Sequence, residues 1–217
     1  STPIKSSAAS DVYKRQAIVL ISESSLPIAR NINRELTGSV LYAKGEIEGC
    51  RQVSSYSGWI KEHFSDFGAI IFIGALGICV RSIAPCIRNK YTDPAVINVD
   101  STGRFIIPVL SGHIGGSNEL ARTIAGITGG EAVITTQSDN NRLWALDTLG
   151  SRYGWKTSVS PSAMNRAVSL FVNKYKTALL LNTKDKGTEE LERTRPEHVD
   201  ISVSYTHLRA HETAANL

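Results

Sequence analysis

Residues 111–119 read Ser-Gly-His-Ile-Gly-Gly-Ser-Asn-Glu. Gly112, Gly115 and Gly116 allow a backbone to come close to a ligand, or simply to turn. Ser117 or Asn118 can cap a helix that begins here, and Glu119 falls in its first turn, where the helix dipole favours a carboxylate. His113, fixed between glycine breaks, carries a ring suited to moving a proton near neutral pH. N–H groups near Gly116 and Ser117 would face an anion at the start of that helix. The competing use of His113 is structural, with the ring bonded to a neighbouring loop. Ser111 and His113 are two apart and lack a G-x-S-x-G elbow, so they do not form a nucleophile–base pair.

Two further segments concentrate unusual residues. Gly74 and Gly77 flank a turn between an apolar run and a helical one, where free N–H groups can bind an anion. The spacing is not G-x-G-x-x-G, so it does not specify a dinucleotide. Arg81, Arg88 and Lys90 follow closely and could receive carboxylates, or form a solvated basic face. Asp93 precedes Pro94 and is held extended or in a turn near the start of the next strand. Anchoring that turn is the alternative use of its carboxylate.

The elements that must position these residues alternate. Strands are expected at 17–22, 39–43, 68–74, 95–99, 104–110 and 132–136, the run 68–74 being continuously apolar and therefore buried on both faces. Helices are expected at 24–36, 54–64, 75–84 and 118–127, the third with a core stripe of Leu76, Val80, Ile83 and Ala84. Asp-Ser-Thr-Gly (100–103) reads as a hairpin turn, and Pro108 belongs near a strand's end or on an edge. The fold class is α/β: a three-layer, doubly wound, Rossmann-like domain over 17–138, followed by an incomplete second α/β unit over 139–202. That second unit has helices near 143–153 and 161–173 and a strand at 177–182. Because ligands collect at the carboxyl ends of strands, the turns at 74–77 and 112–116 are expected on one sheet edge.

Composition narrows the classes. No run of about 18 apolar residues occurs, so no membrane span is expected. Three cysteines without C-x-x-C spacing suit a reducing cytoplasm and argue against a zinc site or disulfide framework. Residues 1–16 and 203–217 resemble translated cloning or adapter sequence and are set aside as non-native tails. The first tail carries Lys5, Lys14 and Arg15 against Asp11, and in the second Arg209 balances Glu212. Only about half of the formal charge of +4 therefore lies between them, which is weak ground for a nucleic-acid partner.

The runs at 74–85, 90–125 and 132–136 resemble the N-terminal domain of the cobalamin-biosynthesis CbiG family, the cobalt-precorrin-5A hydrolases. The likeness is dense from about 68 to 138, in the same order of motifs, and thins over 17–67 and 139–202. The family's C-terminal domain has no counterpart here. The resemblance implies a hydrolase of the anaerobic route to cobalamin, and so of corrin and porphyrin metabolism. It would open the δ-lactone of cobalt-precorrin-5A to give cobalt-precorrin-5B and acetaldehyde. It further implies a tetrapyrrole substrate that carries its own cobalt, no resident cofactor or metal, and corrin-pathway methyltransferases as partners. His113, Glu119 and Asp93 become the catalytic candidates. Gly74, Gly77, Arg81, Arg88, Lys90, Ser111, Gly112, Gly115, Gly116, Ser117 and Asn118 become substrate-binding candidates. Two other classes stay open: a non-catalytic corrinoid-binding handover module, and a nucleotide- or sugar-phosphate-binding domain.

Overall fold

The computed structural model describes residues 16–203, which divide into two compact units at 135/136. The first is a seven-stranded sheet in the order β3-β2-β1-β4-β5-β6-β7. Its strands are β1 (Gln16–Leu20), β2 (Ser39–Lys44), β3 (Arg51–Val53), β4 (Ala69–Ile73), β5 (Ala95–Val99), β6 (Phe105–Leu110) and β7 (Glu131–Ala132). Strands β1 to β5 run parallel, β6 runs antiparallel to β5, and β7 pairs with β6 over only two residues. All five side chains of β1, β4 and β5 are buried, as central strands covered on both faces require.

Helices α1 (Leu26–Glu35), α2 (Tyr56–His63), α3 (Leu76–Ile83) and α4 (Ser117–Thr128) cover the two faces. Ala29 and Ile32 of α1, with Leu120, Ala121 and Ile124 of α4, pack on Ile18, Ile71 and Ile97. Ile60 of α2 and Cys79 and Ile83 of α3 pack on the opposite face against Ala17, Ile70 and Phe72. Three layers result, as expected.

Several details differ from the sequence reading. The buried face of α3 is Cys79, Ser82 and Ile83, whereas Leu76 and Val80 are 39% and 43% exposed. A helix of eight residues laid on a sheet buries one narrow stripe, and Leu76 and Val80 fall outside it. The strand expected at 132–136 shrinks to Glu131–Ala132 because the chain leaves the sheet after Val133 N–H bonds the Ile106 carbonyl. β1 begins at Gln16, a buried residue inside the stretch set aside as a tail. Val203, the first residue of the second tail, likewise lies in a strand, and the remaining residues of both tails lie outside the described region. Pro108 sits past the two-residue pairing with β7 and beside a register shift in β5, where its missing N–H costs no ladder bond.

The second unit holds α5 (Gln137–Asn140), α6 (Leu146–Arg152), α7 (Pro161–Val172) and α8 (Lys186–Arg193). It also holds a two-stranded parallel sheet of β8 (Thr177–Leu181) and β9 (Val199–Val203). Its core is small, built on Trp144, Phe171, Leu191 and Val199. An Asp185–Thr188 capping box starts α8, which the sequence reading had not proposed. Among the described residues no helix is long and apolar enough to cross a membrane.

Candidate functional site

The hairpin at 100–103 decides where the candidate residues lie. Parallel β4 and β5 deliver their carboxyl ends, Ile73–Gly74 and Val99–Asp100, to one edge of the sheet. β6 runs back, so the Ser111–Gly116 turn emerges at the opposite edge, beside the amino end of β5. The glycine turns at 74–77 and 112–116 therefore do not share a site, contrary to the sequence expectation.

At the edge where β5 starts, the structure gathers Arg88, Lys90, Asp93 and the whole stretch from Ser111 to Glu119. Two loops are laced together there. The Ser111 hydroxyl donates to the Asp93 carbonyl at 3.0 Å, and Gly115 lies against the backbone N of Ala95. Asp93 is buried, and both carboxylate oxygens accept from the Arg88 backbone N–H, at 2.9 and 3.2 Å. These are the bonds of an anchor that closes the 88–93 loop.

The second loop is wound on itself. The Gly116 N–H donates to the His113 carbonyl, Ser117 N–H to Ser111 and Asn118 N–H to Gly112, at 3.0, 3.2 and 3.1 Å. Those donors are committed to the turn, so they are not aimed at an anion as the sequence reading expected. Gly115 is required by packing rather than by ligand access, since a Cβ there would stand 2.4 Å from the Ser111 Cβ. Gly116 takes φ +80° at the start of α4, a conformation that suits glycine. Ser111 itself takes φ +59°, unusual for a residue with a side chain and held there by its two backbone partners.

What this edge offers to a ligand is chemically mixed. His113 is half-buried in the turn. Glu119 is exposed at the start of α4 and pairs with Arg122 at 3.4 Å. The neighbouring loop presents Arg88 and Lys90 together with two exposed apolar side chains, Ile87 and Tyr91. The Lys90 ammonium lies 5.2 Å from the Tyr91 ring centre. Cations beside apolar surface match a flat ligand whose rim carries carboxylates.

Matches to known proteins fall on the same segments. Residues 58–139 match the family description "Cobalamin synthesis G N-terminal", and residues 144–214 match "Cobalamin biosynthesis central region". A cobalt-precorrin-5A hydrolase of Priestia megaterium is 34% identical over 191 residues, which is 84% of this chain and 51% of that protein. The chain belongs to the CbiG family. A cobalt-precorrin-5A hydrolase of Salmonella typhimurium is 40% identical over 119 residues, 55% of this chain and 34% of that protein. The chain thus spans about half the length of the first relative and a third of the second. A crystal structure of a cobalamin biosynthesis protein G homolog from Sulfolobus solfataricus aligns with a TM-score of 0.48 at 19% identity. That alignment covers 89% of this chain and 56% of the other.

The N-terminal CbiG region contains both sheet edges, and the second edge holds the rest of the nominated residues. Gly74 takes φ +146° and a Cβ there would meet Ile21 at 2.7 Å, so only glycine fits. Gly77 has open space around it, with the Arg81 guanidinium folded back to within 3.9 Å of where a Cβ would stand. The Arg81 guanidinium is thus turned toward the start of α3, at the Gly74 end of the sheet. Sequence reasoning passed over Asn98, Asp100 and Phe105 at this edge. An amide inside the otherwise apolar run Ala-Val-Ile-Asn-Val was the signal available.

Burial and hydrogen bonding set the titrating groups apart. Burial pushes the Asp100 carboxyl up, but it is outweighed by hydrogen bonds from the Phe105 N–H, the Thr102 hydroxyl and N–H, and the Arg104 N–H. The net effect holds Asp100 below the usual carboxylate range. Burial also pushes the Cys79 thiol up to about 12, which leaves it an inert core residue.

Proposed function

We propose that this chain supplies the N-terminal and central regions of a cobalt-precorrin-5A hydrolase, and that the substrate meets the edge formed by residues 87–93 and 111–119. The observation that supports the assignment of the edge is the lacing of those two loops through Ser111 and Asp93, which joins the loop that carries His113 to the loop that carries Arg88 and Lys90. The hydrolase names of the two curated relatives support the activity.

In this reading the macrocycle lies against Ile87 and Tyr91 while its rim carboxylates meet Arg88 and Lys90. A water attacks the lactone carbonyl, His113 takes its proton, and the ring C–O bond breaks to leave a carboxylate and an alcohol oxygen that recovers a proton. Asp93 and Ser111 position the loops, and Glu119 lies in the first turn of the helix that follows the histidine. The cobalt belongs to the substrate. Among the described residues three free thiols, one of them buried, fit a reducing compartment and hence the cytoplasm.

Kinetics on a complete enzyme containing this chain test the reading. His113→Ala is expected to lower the rate of lactone opening by about 10²–10⁴-fold with the melting temperature unchanged. Near-normal turnover would leave His113 a structural residue. Tight lactone binding without turnover in the unmodified enzyme would point instead to a handover module that serves the pathway's methyltransferases.

A further inference from the structure

The opposite sheet edge carries a group that the proposed hydrolysis does not use. Asn98, next to the last residue of β5, is only 1% exposed. Its Nδ2 donates to the Gly74 carbonyl at 3.1 Å. A carbonyl oxygen can only accept, so turning the amide round would set two acceptors face to face. The orientation is therefore fixed, and it leaves Oδ1 buried with no hydrogen-bond partner. An unpaired buried acceptor is destabilising unless something donates to it.

Asn98 lines a cavity of about 510 Å³ that opens beside Gly74, and the apolar part of its wall is Leu76, Phe105, Ile107 and Val133. Leu76 and Phe105 are partly exposed there, although both are large and apolar. Asp100 stands at the rim, and no lysine or arginine contributes to the lining. A carboxylate or phosphate entering this space would meet the Asp100 anion, and the cation beside the wall, Arg104, is stacked on the Phe105 ring at 4.8 Å. A flat apolar group with a neutral donor would cover the exposed side chains and satisfy Oδ1.

We propose that this cavity is a binding site for an uncharged ligand group with a flat apolar body and an N–H or O–H donor, and that Asn98 Oδ1 is its acceptor. The site is separate from the hydrolytic edge and does not depend on that assignment, since it lies at the other end of β5. Asn98 acts here as the selectivity-determining residue and Leu76 as one apolar wall.

The probes are benzamide, a flat ring with a neutral N–H donor, and benzoate, its carboxylate counterpart. Titration of the isotope-labelled chain should shift the backbone amides of Gly74, Leu76 and Ser101 with benzamide, and benzoate should bind at least about tenfold more weakly. Asn98→Leu should weaken benzamide by about three- to tenfold, the worth of one neutral hydrogen bond. Because Asn98 also braces Gly74, a second variant, Leu76→Trp, fills the cavity from an exposed position and should abolish the shifts with the rest of the spectrum unchanged. Failure of benzamide to shift these amides would overturn the proposal. So would equal binding of benzoate, or unaltered binding in either variant.

Discussion

At the scale of single residues, a side chain's hydrogen bonds separate anchors from groups free to react. Asp93 is a catalytic candidate by resemblance and a turn anchor by its place before Pro94, and its carboxylate is spent on the Arg88 N–H in a buried setting. Asp93→Ala should lower unfolding free energy by about 1–3 kcal/mol, measured by denaturant titration, because it leaves that N–H unpaired. Asp100 has a pH signature. Its folded carboxyl titrates below the unfolded value near 3.8, so its stabilisation is present above that pH and is lost as pH falls through the lower folded value. Between pH 5 and 3 the unmodified chain should therefore lose stability more steeply than Asp100→Asn, and equal slopes would refute the bonding described. Cys79 should resist a thiol reagent until the chain is unfolded.

At the scale of elements, the hairpin decides where the candidate residues lie more than any motif does. Gly115→Ala should destabilise the chain by about 1–3 kcal/mol, because the added Cβ meets Ser111 in a loop already closed by backbone bonds. A melting temperature unchanged from the parent would mean that the loop can open freely. The strand and helix order of the first unit was legible because buried parallel strands show as continuous apolar runs and helices as periodic ones. The turn Asp-Ser-Thr-Gly was legible too, and it already implied that β6 runs backward. Its consequence, that Gly74 and His113 face opposite ways, is a matter of strand direction that no single motif carries. Asn98 was passed over because one amide in an apolar strand does not disturb its pattern. Leu76 and Val80 were misplaced because an apolar helix offers more candidates than its sheet can cover.

At the scale of the whole molecule, the two units have separate cores of unequal quality. The first unit buries two clusters, one on each side of a seven-stranded sheet. Among the described residues the second has one cluster built on four buried apolar side chains, with Leu181 buried outside it, and leaves Leu180 62% exposed. A fragment of residues 16–135 should accordingly fold alone with a cooperative thermal transition, whereas residues 136–203 alone should unfold without one. A cooperative transition in the smaller fragment would show that its core is stronger than its burial indicates.

The proposed site receives substrate carboxylates at Arg88 and Lys90 and not at Arg81. Affinity for a carboxylate-bearing cobalt corrinoid, measured by absorbance titration at two salt concentrations, tests it most directly. Replacing Arg88 and Lys90 together by Ala should weaken binding about 10- to 100-fold, as expected for two charged hydrogen bonds, with a smaller loss at high salt. Arg81→Ala should stay within about twofold of the parent, as is usual for a surface change away from a site. Loss of binding with Arg81→Ala, and none with the Arg88 and Lys90 pair, would contradict the account.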